Sequence, residues 1–250
     1  MPEVTAFGNA MMDGIQKILD NLYLQPHELY SLDVLQQGDL DFGIEYTLSV
    51  NQHTVSMPIS DFIGIPVQAY EPLHQLYISE NGRVADLGCG IGRHLLFIRD
   101  RYPGVECVGV EHCSLQSEFL RNYFPEPKTI VQNLADAQGD FDAIFMLGNG
   151  LGIFGDENGI VSGLREWGKR IKPRGYFAIE TGTMGGDIDR VIISSRYKNI
   201  VDPPFAWYGF SARRLRSVLE NRNEDGTSYD VAIRPTIGPF FLAIARKRMP

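Results

Sequence analysis

The stretch Val84 to Arg93, VADLGCGIGR, constrains the fold of this chain more than any other. An apolar run enters a turn with glycine at alternate positions, Gly88, Gly90 and Gly92, and a helical pattern follows. Glycine has no Cβ to hold a ligand away from the backbone, and it permits the positive φ that a tight turn requires. Strand, glycine turn and helix N-terminus in succession bring backbone donors and the positive end of a helix dipole to one point. This predicts a turn with bare N–H groups facing an anionic ligand group.

The flanking sequence defines the scaffold. Strands are predicted at 83–87, 105–111, 128–133, 141–147 and 175–181, with helical segments between them. In Glu157 to Ile171, for example, Ile160, Leu164, Trp167 and Ile171 share one face and Pro173 follows the end. Such alternation predicts an α/β fold with a mostly parallel sheet covered on both faces. Ser211 is placed to cap a helix carrying Leu215, Val218 and Leu219, and runs at 227–233 and 239–246 predict an antiparallel hairpin that closes the sheet. Upstream, Met11, Ile15, Ile18, Leu19 and Leu22 predict a helix over 8–25. Alternating runs from Ile44 to Val50 and from Val55 to Ile59 flank Asn51-Gln52 and predict a hairpin. Pro66 to Glu80 has a helical pattern that Pro72 weakens in its first half. Because the front of the chain lacks a nucleotide-fold pattern, a boundary is expected near Ile63. Residues 1–63 then form a cap or an oligomerisation element, and 64–250 the main domain.

At 250 residues, 44% hydrophobic and 22% charged, the chain has the composition of a soluble protein with one large domain. Its formal net charge of -8 argues against an affinity built on neutralising phosphates, so nucleic acid is not an expected partner. Cys89, Cys107 and Cys113 form no CxxC and no cluster at metal spacing, which predicts neither disulfides nor a metal site and fits a reducing cytoplasm. No uncharged apolar run approaches the roughly 18 residues of a membrane span, so no membrane partner is expected.

The turn reads D-x-G-x-G-x-G and not the G-x-G-x-x-G that seats a dinucleotide pyrophosphate. Asp86 would repel a pyrophosphate but can receive a cationic α-amino group, while the turn's N–H groups receive a carboxylate. Glu111 ends the next strand, 23 positions beyond Gly88, where a carboxylate can accept hydrogen bonds from both hydroxyls of a ribose. An amino-acid end and a nucleoside end together describe S-adenosylmethionine. Through VADLGCGIGR, Glu111 and GDFDAIFMLGNG, over roughly residues 66–248, the sequence resembles the class I S-adenosylmethionine-dependent methyltransferase family.

The resemblance implies a Rossmann-like sheet of seven strands, S-adenosylmethionine as cofactor, and methyl transfer to oxygen or nitrogen of a small molecule. It implies cofactor contacts from Asp86, Gly88, Cys89, Gly90 and Gly92, and from Glu111 and His112 after the second strand. Asn133, Leu134 and Asp136 stand where the family holds adenine, with Asn133 at a position often taken by Asp. Leu147 and Gly148 fall beside the methionine part, and Asn149 offers a donor and an acceptor to the substrate. Asp202-Pro203-Pro204-Phe205 has the form of the clamp used by nucleic-acid amino-methyltransferases, but it follows the fifth strand and not the fourth. Its prolines are expected to stiffen a loop that carries Phe205, Trp207 and Tyr208 over the acceptor pocket, unless those rings pack beneath the loop. No catalytic residue is assigned: a lone histidine such as His74, His94 or His112 is more often structural or solvated than catalytic. Arg213, Arg214 and Arg216 read as the solvated face of a helix. Two rivals remain, a non-catalytic binder of the same cofactor and a nicotinamide-dependent oxidoreductase, and the glycine spacing and Asp86 argue against the second.

Overall fold

A computed structural model of the chain describes residues 6–22, 24–30, 45–50, 53–58, 70–223, 225–236 and 238–249. Helix α1 (Ala6–Asn21) buries Ala10, Met11, Ile15 and Ile18 along one stripe. The hairpin of β1 (Glu45–Val50) and β2 (His53–Pro58) is antiparallel with Val50 opposite His53, as its alternation predicts. The helix expected from Pro66 to Glu80 lies partly outside the described residues. Within them a single 3-10 turn forms at Glu71–Gln75, with Pro72 in its first turn, and Leu76 is already extended. Proline fits a first helical turn, where no N–H is needed.

From there strand and helix alternate as predicted through β3 (Arg83–Leu87), α2 (Arg93–Arg101), β4 (Glu106–Val110) and α3 (Ser114–Tyr123). They continue through β5 (Lys128–Val131), β6 (Phe141–Met146), α4 (Glu157–Lys169) and β7 (Ile171–Gly182). The next three strands were not predicted: β8 (Ile188–Tyr197), β9 (Ile200–Val201) and β10 (Phe205–Phe210). Helix α5 (Ala212–Glu220) follows, capped by Ser211, which accepts the Arg214 N–H at 3.1 Å. The chain closes with β11 (Tyr229–Pro235) and β12 (Phe240–Lys247).

Two sheets result among the described residues. The larger has seven strands in the order β11-β12-β7-β6-β3-β4-β5. Strands β7 to β5 in that order are parallel and the terminal hairpin is antiparallel. The smaller runs β10-β8-β1-β2, with β9 on β8, so the N-terminal hairpin pairs with a strand far along the chain, Thr47 opposite Arg196 and Val50 opposite Ile193. Phe205, Trp207 and Tyr208 therefore lie on a strand and not on the loop expected for them. Their alternation is that of a strand, but the partner that supplies its hydrogen bonds, β8, pairs in turn with β1, and no local pattern reveals such pairings. Pro203 and Pro204 stop just short of the strand, where no ladder donor is required.

Side chains of the larger sheet alternate between two buried clusters. Val84, Phe145 and Ala178 join one with α1, α2 and α3, while Ala85, Ile144 and Phe177 join the other with α4 and α5. The order of the parallel strands reverses between β3 and β6, and a crevice at the carboxyl ends of such strands is where open α/β sheets bind ligands.

Candidate functional site

A cavity of about 370 Å³ opens at that crevice. Gly88, Gly90 and Gly92 have φ of 78°, 56° and 79°, values that glycine adopts without strain. Their surroundings differ. A Cβ on Gly90 would meet nothing within 4 Å and one on Gly88 only Ile153 at 3.7 Å, so both face open space. A Cβ on Gly92 would press to 2.9 Å on Leu120 and Phe124, so this glycine allows α2 to pack against the end of α3 and does not line the cavity.

The N–H groups of Gly88, Cys89, Gly90 and Gly92 are not bare, which corrects the sequence expectation at those positions. Gly88 and Cys89 both donate to the Val110 carbonyl, at 2.8 and 3.1 Å, and Gly90 donates to Glu111 Oε2 at 2.8 Å. Buried N–H groups need acceptors, and the end of β4 supplies them. Glu111 Oε1 accepts from the Cys113 N–H at 2.7 Å, and of its about four lone-pair sites the carboxylate keeps those that the backbone does not use. Burial pushes the Glu111 carboxyl up to about 7, against the backbone bonds that favour its ionised form.

Beneath the turn lies a buried polar network. Asp86 and Glu180 project from β3 and β7 off the same face of the sheet. Asp86 Oδ2 lies 3.3 Å from His94 Nδ1, and Arg93 Nε lies 3.3 Å from His94 Nε2. A guanidinium can only donate, so Nε2 accepts and Nδ1 keeps the proton and donates to Asp86. Burial holds the His94 pKa below its ordinary value despite Asp86, which leaves the ring neutral. Asp86 Oδ1 is buried with no hydrogen-bond partner. Tyr70 stacks edge-on against His94 at 4.9 Å and donates to Glu180 Oε2 at 2.9 Å. The same oxygen accepts the Gly148 N–H at 2.8 Å and so fixes the backbone at the end of β6. Tyr70 and Glu180 escaped the sequence reading; a carboxylate at the carboxyl end of a buried parallel strand was the available signal.

The second sheet and α1 furnish another part of the lining, with Met11, Ser195, Asp202, Phe205 and Trp207. The Trp207 indole packs on Gly152, where any Cβ would overlap it, and its Nε1 donates to the Asn149 carbonyl at 3.0 Å. Phe205 meets Trp207 edge-on with ring centroids 5.7 Å apart. Asp202 accepts the Ala6 N–H at 2.8 Å and the Ser195 hydroxyl. The D-P-P-F string thus reaches the cavity although it follows the wrong strand for the clamp it resembles.

Other predicted residues sort cleanly. Cys89, His112, Leu147 and Gly148 line the cavity, and a Cβ on Gly148 would meet nothing within 4 Å. Tyr208 points off the opposite face of β10 and packs on the second core cluster. Asn149, at φ 61°, accepts from Thr181 Oγ1 at 3.0 Å and holds a left-handed turn. Asn133 is exposed and bonds Asp136 at 3.0 Å, Leu134 packs on the second cluster, and neither lines the cavity. His74 stacks on Phe97 at 4.0 Å and donates to its carbonyl at 2.9 Å, a structural role. Asp142, of the Phe141-Asp142 pair, lies at the far end of β6 and accepts from Ser79, Lys172 and the Arg83 N–H. Gln116 was missed: it lines the cavity, is 1% exposed, and its amide nitrogen has no acceptor.

No protein-family model matches the sequence, and no curated protein does. Among solved structures the chain is similar to an S-adenosylmethionine-dependent methyltransferase from Bacteroides fragilis in complex with S-adenosyl-L-homocysteine, at 17% identity and a TM-score of 0.69 over 98% of each chain. It is similar to the CcbJ methyltransferase from Streptomyces caelestis at 15% identity and a TM-score of 0.52, over 74% of this chain and 91% of that one. A TehB-like S-adenosylmethionine-dependent methyltransferase from Corynebacterium glutamicum gives 18% and 0.50 over 74% and 90%. The chain has the Rossmann-like fold of S-adenosylmethionine-dependent methyltransferases.

Proposed function

We propose that the protein is an S-adenosylmethionine-dependent methyltransferase acting on oxygen or nitrogen of a small molecule. The observation that carries this reading is one cavity that joins the glycine turn, Glu111 and the aromatic pair of β10. The residues fit the cofactor. Gly88, Gly90 and Gly148 leave open space at their Cβ positions, and the orphaned Asp86 Oδ1 lacks the donor that an α-ammonium would bring. With the N–H groups of Gly88, Cys89, Gly90 and Gly92 engaged, Arg93 brings the positive charge for the carboxylate. Glu111 accepts the ribose hydroxyls.

The bound cofactor supplies a methyl group on a sulfonium, a good leaving group. The chain's own task is alignment and exclusion of water. Glu180 holds the Gly148 N–H, Trp207 holds the Asn149 carbonyl, and the turn between them is fixed from both sides. Helix α1 and the N-terminal hairpin act as a cap, because Met11 lines the cavity and the hairpin strands are built into the second sheet. The three buried thiols suit a reducing cytoplasm, where we assign the protein.

Calorimetry with S-adenosylmethionine and S-adenosylhomocysteine tests the reading. Binding of both by the wild type, weakened about tenfold or more by Glu111→Ala, is expected. Absence of binding by the wild type sinks it. Release of S-adenosylhomocysteine in the presence of an acceptor separates an enzyme from a non-catalytic binder.

A further inference from the structure

The aromatic side of the cavity has a chemistry of its own. Asp202 places a carboxylate in a lining shared with Phe205 and Trp207, and Ser195 and Met11 complete that side. Asp202 accepts one bond from the Ala6 N–H and one from Ser195, which fixes the side chain and leaves further lone pairs. Aromatic faces attract cations through the ring quadrupole, and a carboxylate accepts charge-assisted hydrogen bonds from an ammonium. An anionic head would meet repulsion here. Arg93, which the methyltransferase reading gives to the cofactor's carboxylate, belongs to the glycine-turn part of the lining and keeps its charge there. An alcohol would need a base to take its proton, and both ring nitrogens of His94 are already bonded. His112, which follows Glu111 directly, belongs to the β4 end of the lining.

We propose that the methyl acceptor is an amine carried on a small molecule, with its nitrogen held by Asp202 beside Phe205 and Trp207. This rests on the methyltransferase reading. Trp207 is bonded to Asn149, next to Gly148, so an amine against the indole lies near the turn assigned to the methionine part. The ammonium first gives a proton to water while Asp202 keeps a remaining N–H. The nitrogen lone pair then forms the N–CH₃ bond as the C–S bond breaks. That bonding pair stays on sulfur as S-adenosylhomocysteine, and the methylated nitrogen carries the positive charge until it sheds a proton to water.

Three probes with one ring and spacing but different heads test the proposal: 2-phenylethylamine, 2-phenylethanol and phenylacetate. Each is titrated calorimetrically into wild type, Asp202→Asn and Phe205→Ala, with and without saturating S-adenosylhomocysteine. The amine is expected to bind wild type about tenfold more tightly than the alcohol, with phenylacetate weakest. Asp202→Asn should lower amine affinity about tenfold, leave the alcohol within about threefold, and leave S-adenosylhomocysteine binding as in wild type. Phe205→Ala, at a site 41% exposed, tests the aromatic contribution should Asp202→Asn fail to fold, and should weaken the amine about fivefold. Alcohol or carboxylate binding as tightly as the amine, no binding of any probe, or an amine preference unchanged in both variants overturns the proposal. If wild type binds no S-adenosylhomocysteine, the methyltransferase reading fails, while the titrations without it still decide the amine site.

Discussion

The two sides of the cavity are made from different kinds of chain. On one side, the glycine turn, Glu111, His112 and Gln116 all come from one stretch, β3 through α3, the first three at the ends of buried parallel strands and Gln116 in the first turn of α3. On the other side, Met11, Ser195, Asp202, Phe205 and Trp207 come from α1 and from β8 to β10, united only by an antiparallel sheet that includes the N-terminal hairpin. The first side is pinned by the core, and a change of side chain there disturbs either the turn or the ligand. The second is a layer laid over the fold, whose side chains can vary while the strands keep their pairing. A scaffold of this kind can hold one cofactor and change its acceptor.

The largest expected effect belongs to the pinned side. Gly90→Val puts a β-branched side chain at φ 56°, aimed into open cavity, so strain and occlusion act together. S-adenosylhomocysteine affinity should fall about a hundredfold in calorimetry, whereas amine binding in the absence of nucleoside should fall far less. An equal loss of both would erase the distinction between the two sides. Glu111 gives the next effect. Burial pushes its carboxyl up to about 7, above the ordinary value, and on the proposed reading it must be ionised to accept two ribose hydroxyls. Affinity is therefore full above pH 7 and is lost as pH falls through it, about tenfold between pH 8 and pH 6. In the absence of ligand the sign is opposite: the folded state holds the extra proton, so this group's contribution to stability falls as pH rises from about 4.3 to 7. Titrations of Glu111→Gln should show neither slope.

The same division decided what was legible in the sequence. The parallel sheet was readable because each βαβ unit is local: period, glycine turn and helix cap lie within a few residues of each other. Glu111 was readable from its distance to Gly88. The second sheet was not, because β1 meets β8 across more than a hundred residues and neither strand names its partner. For that reason Phe205 to Tyr208 were expected on a loop, and only strand alternation separates Trp207, in the cavity, from Tyr208, in the core. Even within the readable half, the partners of the turn's N–H groups were missed, since Val110 and Glu111 reach them only after β4 pairs with β3. Spacing alone does not separate Gly92 from Gly88 and Gly90, because its contact with Leu120 and Phe124 is tertiary.

On the overlaid side the expected effects are smaller and fall on stability before affinity. Trp207→Leu removes the indole from Gly152 and leaves the Asn149 carbonyl without its donor. A loss of about 2 kcal/mol is expected in urea denaturation. S-adenosylhomocysteine affinity should change less than about threefold, because Gly148 is still held by Glu180. A larger loss would mean that the Trp207–Asn149 bond organises the cofactor turn and that the two sides are one unit.

The smallest effect tests how α1 is attached to that layer. Asp13 accepts from Tyr197 Oη at 2.7 Å and from Lys198 Nζ, which ties the middle of α1 to the end of β8. The Lys198 bond, followed by that of Tyr197, holds the Asp13 carboxyl below its ordinary range. A depressed folded pKa contributes stability that is complete above the unfolded value and disappears as pH falls through the folded one. The carboxylate is 44% exposed and its lysine partner 65%, so solvent screens the pair strongly. Asp13→Asn should therefore destabilise by at most about 1 kcal/mol at pH 7 in urea denaturation, and the gap from wild type should narrow as pH falls below the ordinary carboxylate range. Because the stripe of Ala10, Met11, Ile15 and Ile18 remains buried in the core cluster, α1 should stay docked and ligand affinity should not move. A loss of several kcal/mol, or a change in amine binding, would make this polar tether the attachment of the helix and its apolar stripe the lesser part.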